Sequence, residues 1–195
     1  MGANLLLKYA GLQKEKFPLK AIVSVNNPFD IWLTINLMRG SMYEKHLAHA
    51  LRRNLLERDP KVQTEKEKVV FQEMIKVFNL DMDKLQAAET WREFDEEWTI
   101  KVHPFKCAAA YYNAGSCLEH VEGITVPTLV LHSKDDPVVP VDCVPIPECR
   151  ANENVICALT RRGSHVCYFN FDGKSRWYTQ ATSEFLQNSL QMLAK

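Results

Sequence analysis

Apolar positions along this chain switch between a helical period and short uninterrupted runs. Asn4-Leu5-Leu6-Leu7-Lys8-Tyr9-Ala10-Gly11 predicts a helix with almost no lead-in that stops at a glycine. Leu19-Lys20-Ala21-Ile22-Val23-Ser24-Val25 follows as a β-branched run of the kind buried in parallel sheets, and Asn26-Asn27-Pro28 ends it. From Ile31 to about Tyr112 the period is helical, with Val70, Met74, Val77 and Phe78 on one face and no strand signal. Two further buried-strand runs cover 127–132 and 154–159. The first leads into Ser133-Lys134-Asp135-Asp136-Pro137 and the second into Gly163-Ser164-His165. An amphipathic helix closes the chain, with Trp177, Ala181, Phe185, Leu186, Leu190 and Leu193 on one side.

Strands alternating with helices predict an α/β fold with about three parallel strands and flanking helices, in which ligands bind outside the carboxyl ends of the strands. That rule puts Asp136 and His165 on one edge. The block 31–112 is too long for a simple crossover and is expected to be a helical insertion, a cap or lid over that edge. At 195 residues, 46% hydrophobic and 25% charged, the chain has the composition of one globular domain, which excludes disordered, collagen-like and coiled-coil classes.

Twenty-four Lys and Arg balance twenty-four Asp and Glu, so there is no net field to draw nucleic acid or anionic lipid, and neither is expected as a partner. No apolar run reaches membrane-spanning length, and Met-Gly-Ala-Asn lacks the order of a secretion signal; the chain reads as soluble and cytoplasmic. The six cysteines contain no Cys-x-x-Cys and are expected to be mostly reduced, buried thiols. Cys143 and Cys149, flanking a proline-rich loop, are the pair to watch.

An acid after one strand and a histidine after the next is the order of α/β-hydrolases, whose nucleophile lies earlier in the chain. A buried carboxylate accepting the imidazole Nδ1 proton fixes the tautomer and stabilises the imidazolium formed when Nε2 takes a proton. Asp136, directly before Pro137, is favoured over Asp135 for this role; the plainer alternative is that both cap a turn and that His165 is an ordinary loop residue. His46, His49 and Glu44 have helical spacing that could suggest a metal site. No further ligand lies nearby in sequence, so a solvated helix face is the expectation. His132 is expected in the core, and His103 and His120 carry no signal. Arg92, Glu93, Asp95 and Glu96 read as an exposed helix start with i,i+3 and i,i+4 pairs, with a clamp at a substrate mouth as the alternative. Tyr168, Phe169, Phe171 and Trp177 read as core packing beneath the histidine loop, or as an acyl-chain wall.

A nucleophile elbow, Gly-x-Ser-x-Gly, is absent. Met1-Gly2-Ala3-Asn4 nevertheless looks like its right-hand half, with the Gly-x-Ser expected immediately before Met1.

Gly2-Ala3-Asn4-Leu5, Asn27-Pro28-Phe29-Asp30, Arg92-Glu93-Phe94-Asp95-Glu96 with Thr99, Tyr111-Tyr112, Pro127-Thr128-Leu129, Asp135-Asp136-Pro137 and Gly163-Ser164-His165 together resemble the embryogenesis-associated, YheT-like branch of α/β-hydrolase esterases and lipases. The resemblance spans nearly the whole chain and implies a carboxyl-terminal part, 1–195, of an α/β-hydrolase domain. It implies Asp136 as the acid, His165 as the base, a serine before Met1, and the Met1 backbone N as an oxyanion-hole donor in the intact protein. It also moves the Arg92–Glu96 cluster towards a structural network. The chain departs from the family pattern at Ser164, where a second glycine is usual, and at His103-Pro104-Phe105, where a glycine-aromatic pair is usual.

The resemblance implies a serine hydrolase of carboxylic esters, acylglycerols or other lipid esters, working through an acyl-enzyme without metal or organic cofactor. This chain alone is expected to be inactive. A non-catalytic binding or regulatory module is the alternative, and takeover of the nucleophile's role by another serine or by Cys167 is a third. Any membrane association would come from the region before Met1.

Overall fold

A computed structural model describes residues 2–56 and 64–193. Twelve helical and strand segments define the sheet and its surroundings: α1 (Gly2–Gln13), β1 (Ile22–Val25), α2 (Ile31–Met38), α3 (Met42–Leu56), α4 (Glu65–Val77), α5 (Met82–Ala87), α6 (Trp91–Phe94), α7 (Ile100–Val102), α8 (Ala108–Gly115), β2 (Thr128–Ser133), α9 (Ile146–Ala151) and β3 (Val155–Thr160). The closing helix is α10 (Tyr178–Leu193). The three strands form one parallel sheet in the order β1-β2-β3, with Ile22 opposite Thr128 and Thr128 opposite Val155. The fold is therefore α/β, as its strand and helix periods predict.

Two compact units divide the chain, one of residues 2–34 with 115–193 and one of 35–114. In the first, Leu7, Ala10, Phe17, Ile22, Phe29, Val121, Ile124, Val130 and Val155 form the apolar core between sheet and helices. The second consists of helices joined by turns, with no strand among its described residues. Its core is Leu85, Ala88 and Phe94, covered by Leu51, Leu55, Met82 and Trp98.

Several expectations need correcting. Gly11 does not end α1, which runs two residues further. A Cβ at Gly11 would lie 1.9 Å from the His120 carbonyl oxygen, so the glycine is there to admit a neighbouring backbone. The first strand is only four residues long, because Leu19 is exposed and pairing with β2 begins at Ile22. In α4, capped by a Thr64–Glu67 box, Val70 and Val77 are exposed, and the half-buried face is Phe71, Met74, Ile75 and Phe78, with Phe71 stacked on Trp98 at 5.7 Å. In α10, Leu186, Leu190 and Leu193 are exposed while Tyr178, Ala181, Phe185 and Ser189 turn inward.

All six cysteines are free thiols. Cys149 shares a hydrogen bond with Cys157, which holds the Cys157 thiol below its ordinary pKa and, together with burial, pushes that of Cys149 up. Glu44 is buried and its Oε2 accepts the Gly40 N–H at 2.7 Å, so it closes a turn within the helical unit. Among the described residues no His, Cys, Asp and Glu grouping could hold a metal, and no helix is long and apolar enough to cross a membrane.

Candidate active site

The carboxyl ends of all three strands of the first unit supply polar side chains to one buried cluster. Beyond β2, Pro137 turns the chain so that Val138 and Val139 direct their N–H groups at Asp136 Oδ1, at 2.8 and 2.9 Å. His132, fully buried, holds that turn from beneath, with Nε2 2.9 Å from the Val139 carbonyl oxygen; burial lowers its pKa and keeps the ring neutral. Asp136 Oδ2 takes two further donors, His165 Nδ1–H at 2.9 Å and the Asn26 amide at 2.5 Å. Burial alone raises the Asp136 pKa, but the bonds from His165, Val139, Asn26 and Val138 outweigh it and hold the carboxyl below its ordinary range.

The loop beyond β3 presents His165 through unusual backbone. Ser164, Val166 and Tyr168 all have positive φ, at 47°, 63° and 36°. For a β-branched residue such as Val166 this is a strained conformation, of the kind that persists only where surrounding contacts enforce it. Three contacts do so here. The Ser164 N–H donates to Asp135 Oδ1 at 2.8 Å, the Ser133 hydroxyl donates to the Ser164 carbonyl at 2.5 Å, and the Cys167 N–H donates to the Gly163 carbonyl at 2.9 Å. A Cβ at Gly163 would lie 2.4 Å from the Tyr168 ring, so glycine there makes room for the tyrosine. At Ser164 a glycine would take the same positive φ without strain.

The structure thus brings Asp136 and His165 into direct contact and gives Asp135 a separate task, holding the histidine loop by its backbone. The Asp136 side chain is fully buried, whereas that of His165 is 39% exposed. With Nδ1–H committed to the carboxylate, Nε2 of the neutral ring is a free acceptor, and it has no protein partner among the described residues. Cys167 points its sulfur at the His165 carbonyl, 3.7 Å away, not at the ring. Met1 lies outside the described residues.

Three participants were not foreseen from sequence: Asn26, Ser133 and Tyr168. The signal for Asn26 was its place at a strand tip, since asparagine is among the few residues that tolerate its φ of 45°. Of the aromatic group, Tyr168 and Trp177 do pack, edge to face at 5.3 Å. Phe169 and Phe171 do not: Phe171 is fully exposed, and Phe169 lies beneath the Arg176 guanidinium at 5.2 Å. In the helical unit, Arg92 and Glu96 form an exposed i,i+4 pair at 2.8 Å and Glu93 caps the helix through Thr90. Asp95 departs from that exposed pattern. It is buried and accepts from Thr99 Oγ1 at 2.5 Å and from the Tyr112 hydroxyl at 2.6 Å.

No family model matches the sequence. Curated relatives do: the chain is 29% identical over 192 residues to monoacylglycerol lipase of Saccharomyces cerevisiae, covering 96% of this chain and 40% of that protein. It is 30% identical over 203 residues to medium-chain fatty acid ethyl ester synthase/esterase 2 of the same yeast, covering 94% and 43%. It is 27% identical over 194 residues to phospholipase ABHD3 of Bos taurus, covering 98% and 44%. Its homologues are thus α/β-hydrolase-domain proteins bearing lipase and esterase names, and the chain spans under half the length of each of these three. Among solved structures, an α/β fold family hydrolase from Bacillus anthracis aligns with a TM-score of 0.48 and 12% identity over 96% of this chain and 64% of that one.

Proposed function

We propose that this polypeptide is part of a serine-type carboxylic ester hydrolase acting on a lipid ester, an acylglycerol or related molecule, within the embryogenesis-associated branch of the α/β-hydrolases. The observation that supports this most is the 2.9 Å bond from His165 Nδ1–H to a fully buried Asp136 at the tips of β2 and β3, with Nε2 left available. In the proposed reaction Nε2 takes the proton of a serine hydroxyl as its oxygen attacks the ester carbonyl, and Asp136 stabilises the imidazolium. Collapse of the tetrahedral intermediate expels the alcohol, which leaves with the proton from Nε2. Water, deprotonated by the same nitrogen, then attacks the acyl-serine carbonyl; the acid is released as the serine oxygen leaves and takes the proton back from Nε2. The serine is proposed to come from a Gly-x-Ser before Met1, with the Met1 backbone N–H as one oxyanion donor. The helical block 31–112 is proposed as the lid, and the scheme needs no metal or organic cofactor.

A polypeptide extended in frame through that Gly-x-Ser is expected to hydrolyse a short-chain p-nitrophenyl ester and to react with a fluorophosphonate probe. Asp136→Ala or His165→Ala in it should lower turnover by about a thousandfold or more. The 195-residue chain should show neither activity. Probe labelling of that chain, or an upstream frame without Gly-x-Ser, would overturn the proposal.

A further inference from the structure

We infer that Asn26 is the positioning residue of the Asp136–His165 pair: its amide fixes the carboxylate oxygen to which the imidazole bonds, and the Tyr168 hydroxyl fixes the amide. The inference rests on the reading of that pair given above and extends it to a third strand tip.

Asn26 follows β1 directly and is 3% exposed. Its backbone N–H donates to the Leu131 carbonyl at 2.9 Å, continuing the ladder with β2, and its left-handed φ then swings the side chain across the strand ends. Nδ2 reaches three acceptors, Asp136 Oδ2 at 2.5 Å, the Ser164 carbonyl at 3.1 Å and Ser133 Oγ at 3.3 Å. Oδ1 accepts the Tyr168 hydroxyl at 2.5 Å. These neighbours decide which way the amide faces, because a flip would set its oxygen against a carboxylate and a carbonyl and leave the tyrosine proton facing NH2.

The two oxygens of Asp136 are held differently. Oδ1 is anchored by the backbone of its own loop, at Val138 and Val139. Among the described residues Oδ2 has only the imidazole and Asn26. Among the described residues, Asn26 is therefore the donor that keeps Oδ2 in place independently of the histidine. Since Tyr168 belongs to the histidine loop, the same amide also fixes the distance between the loop carrying the acid and the loop carrying the base. A bond between two buried groups is stronger than its counterpart in water, so a small displacement here carries a large rate effect.

Substitutions can separate this from a merely structural role. Asn26→Gly keeps the left-handed backbone and removes the amide. Asn26→Asp keeps an acceptor for Tyr168 but replaces the donor with a second carboxyl against Asp136, and two such groups share a proton. Tyr168→Phe removes only the hydroxyl that orients the amide. In the upstream-extended enzyme, Asn26→Gly and Asn26→Asp are expected to lower kcat for a p-nitrophenyl ester about 10- to 100-fold with KM unchanged, and Tyr168→Phe a few-fold. In the 195-residue chain, carboxyl 13C NMR should show the Asp136 titration moving upward in Asn26→Gly, and the thermal midpoint at neutral pH should fall with it, because the buried carboxylate loses a donor and the Tyr168 hydroxyl its acceptor. If Asp136→Ala abolishes turnover while both Asn26 variants keep the parental kcat and Asp136 titration, this inference fails alone. If Asp136→Ala leaves turnover intact, the hydrolase reading fails and the positioning role falls with it.

Discussion

Four hydrogen-bond donors meet on Asp136, and this sets how its residue-scale chemistry depends on pH. Its folded pKa lies below the ordinary value, so the stability it contributes is complete above about pH 4 and is lost as acidification passes through the lower folded value. Asp136→Asn is therefore expected to lower the thermal midpoint at pH 6, and to lose less than the parent between pH 4 and pH 2; calorimetry across that range checks both. Ser164 offers a second test. Its bonds to Asp135, Ser133 and Asn26 use only backbone atoms, and its φ of 47° suits glycine, so Ser164→Gly should keep all three and raise stability by up to about 1 kcal/mol in urea denaturation. The contact between Asp136 and His165 was legible in the sequence because each follows a strand run and neighbouring parallel strands end on one edge, although residue type alone also allowed a turn cap and a loop histidine. Asn26 and Tyr168 were not, since an asparagine before Asn-Pro reads as a turn and a tyrosine among aromatics reads as core. What pairs them is a contact 142 positions apart in the chain, which no local pattern encodes.

Strands were read more accurately than helix faces at the scale of elements. Buried parallel strands are short uninterrupted apolar runs, and β2 and β3 fall within one residue of their expected limits. Helix faces depend on phase. Leu186, Leu190 and Leu193 in α10 and Val70 and Val77 in α4 form apolar stripes that the fold leaves exposed, because a stripe is defined by what covers it and not by its own periodicity. The segment from Thr90 to Tyr112 shows the same limit for charge. Asp95 lies between Arg92 and Glu96 in sequence, yet at the start of a π-helical turn, Asp95–Thr99, it faces inward to Thr99 and Tyr112. Burial raises its pKa against the lowering effect of bonds from Thr99, Tyr112 and Trp91. Tyr112→Phe leaves the carboxyl with one donor fewer in the same buried place and should cost about 1–3 kcal/mol, read from chemical denaturation of the helical unit.

Over the whole molecule, the length of the 31–112 block was enough to expect an insertion, and the division at residues 34 and 115 follows from contacts that length cannot supply. The chain leaves the sheet-bearing unit and comes back to it at a tightly bound neck. The Phe29 carbonyl accepts the N–H groups of Cys117 and Leu118 at 3.0 and 3.1 Å, and the Ile31 N–H donates to Ser116 Oγ at 2.9 Å. Every one of these bonds lies on the sheet side of the junction. Replacing residues 35–114 by a short Gly-Ser bridge should therefore give a cooperatively melting protein in which the His165 imidazole proton still shows the downfield NMR shift of a carboxylate-bound N–H; a chain that melts without cooperativity would contradict this. The neck makes the helical block an exchangeable cassette: helical modules of other lengths, spliced at the same two points by evolution or by an engineer, should leave the Asp136–His165 contact undisturbed.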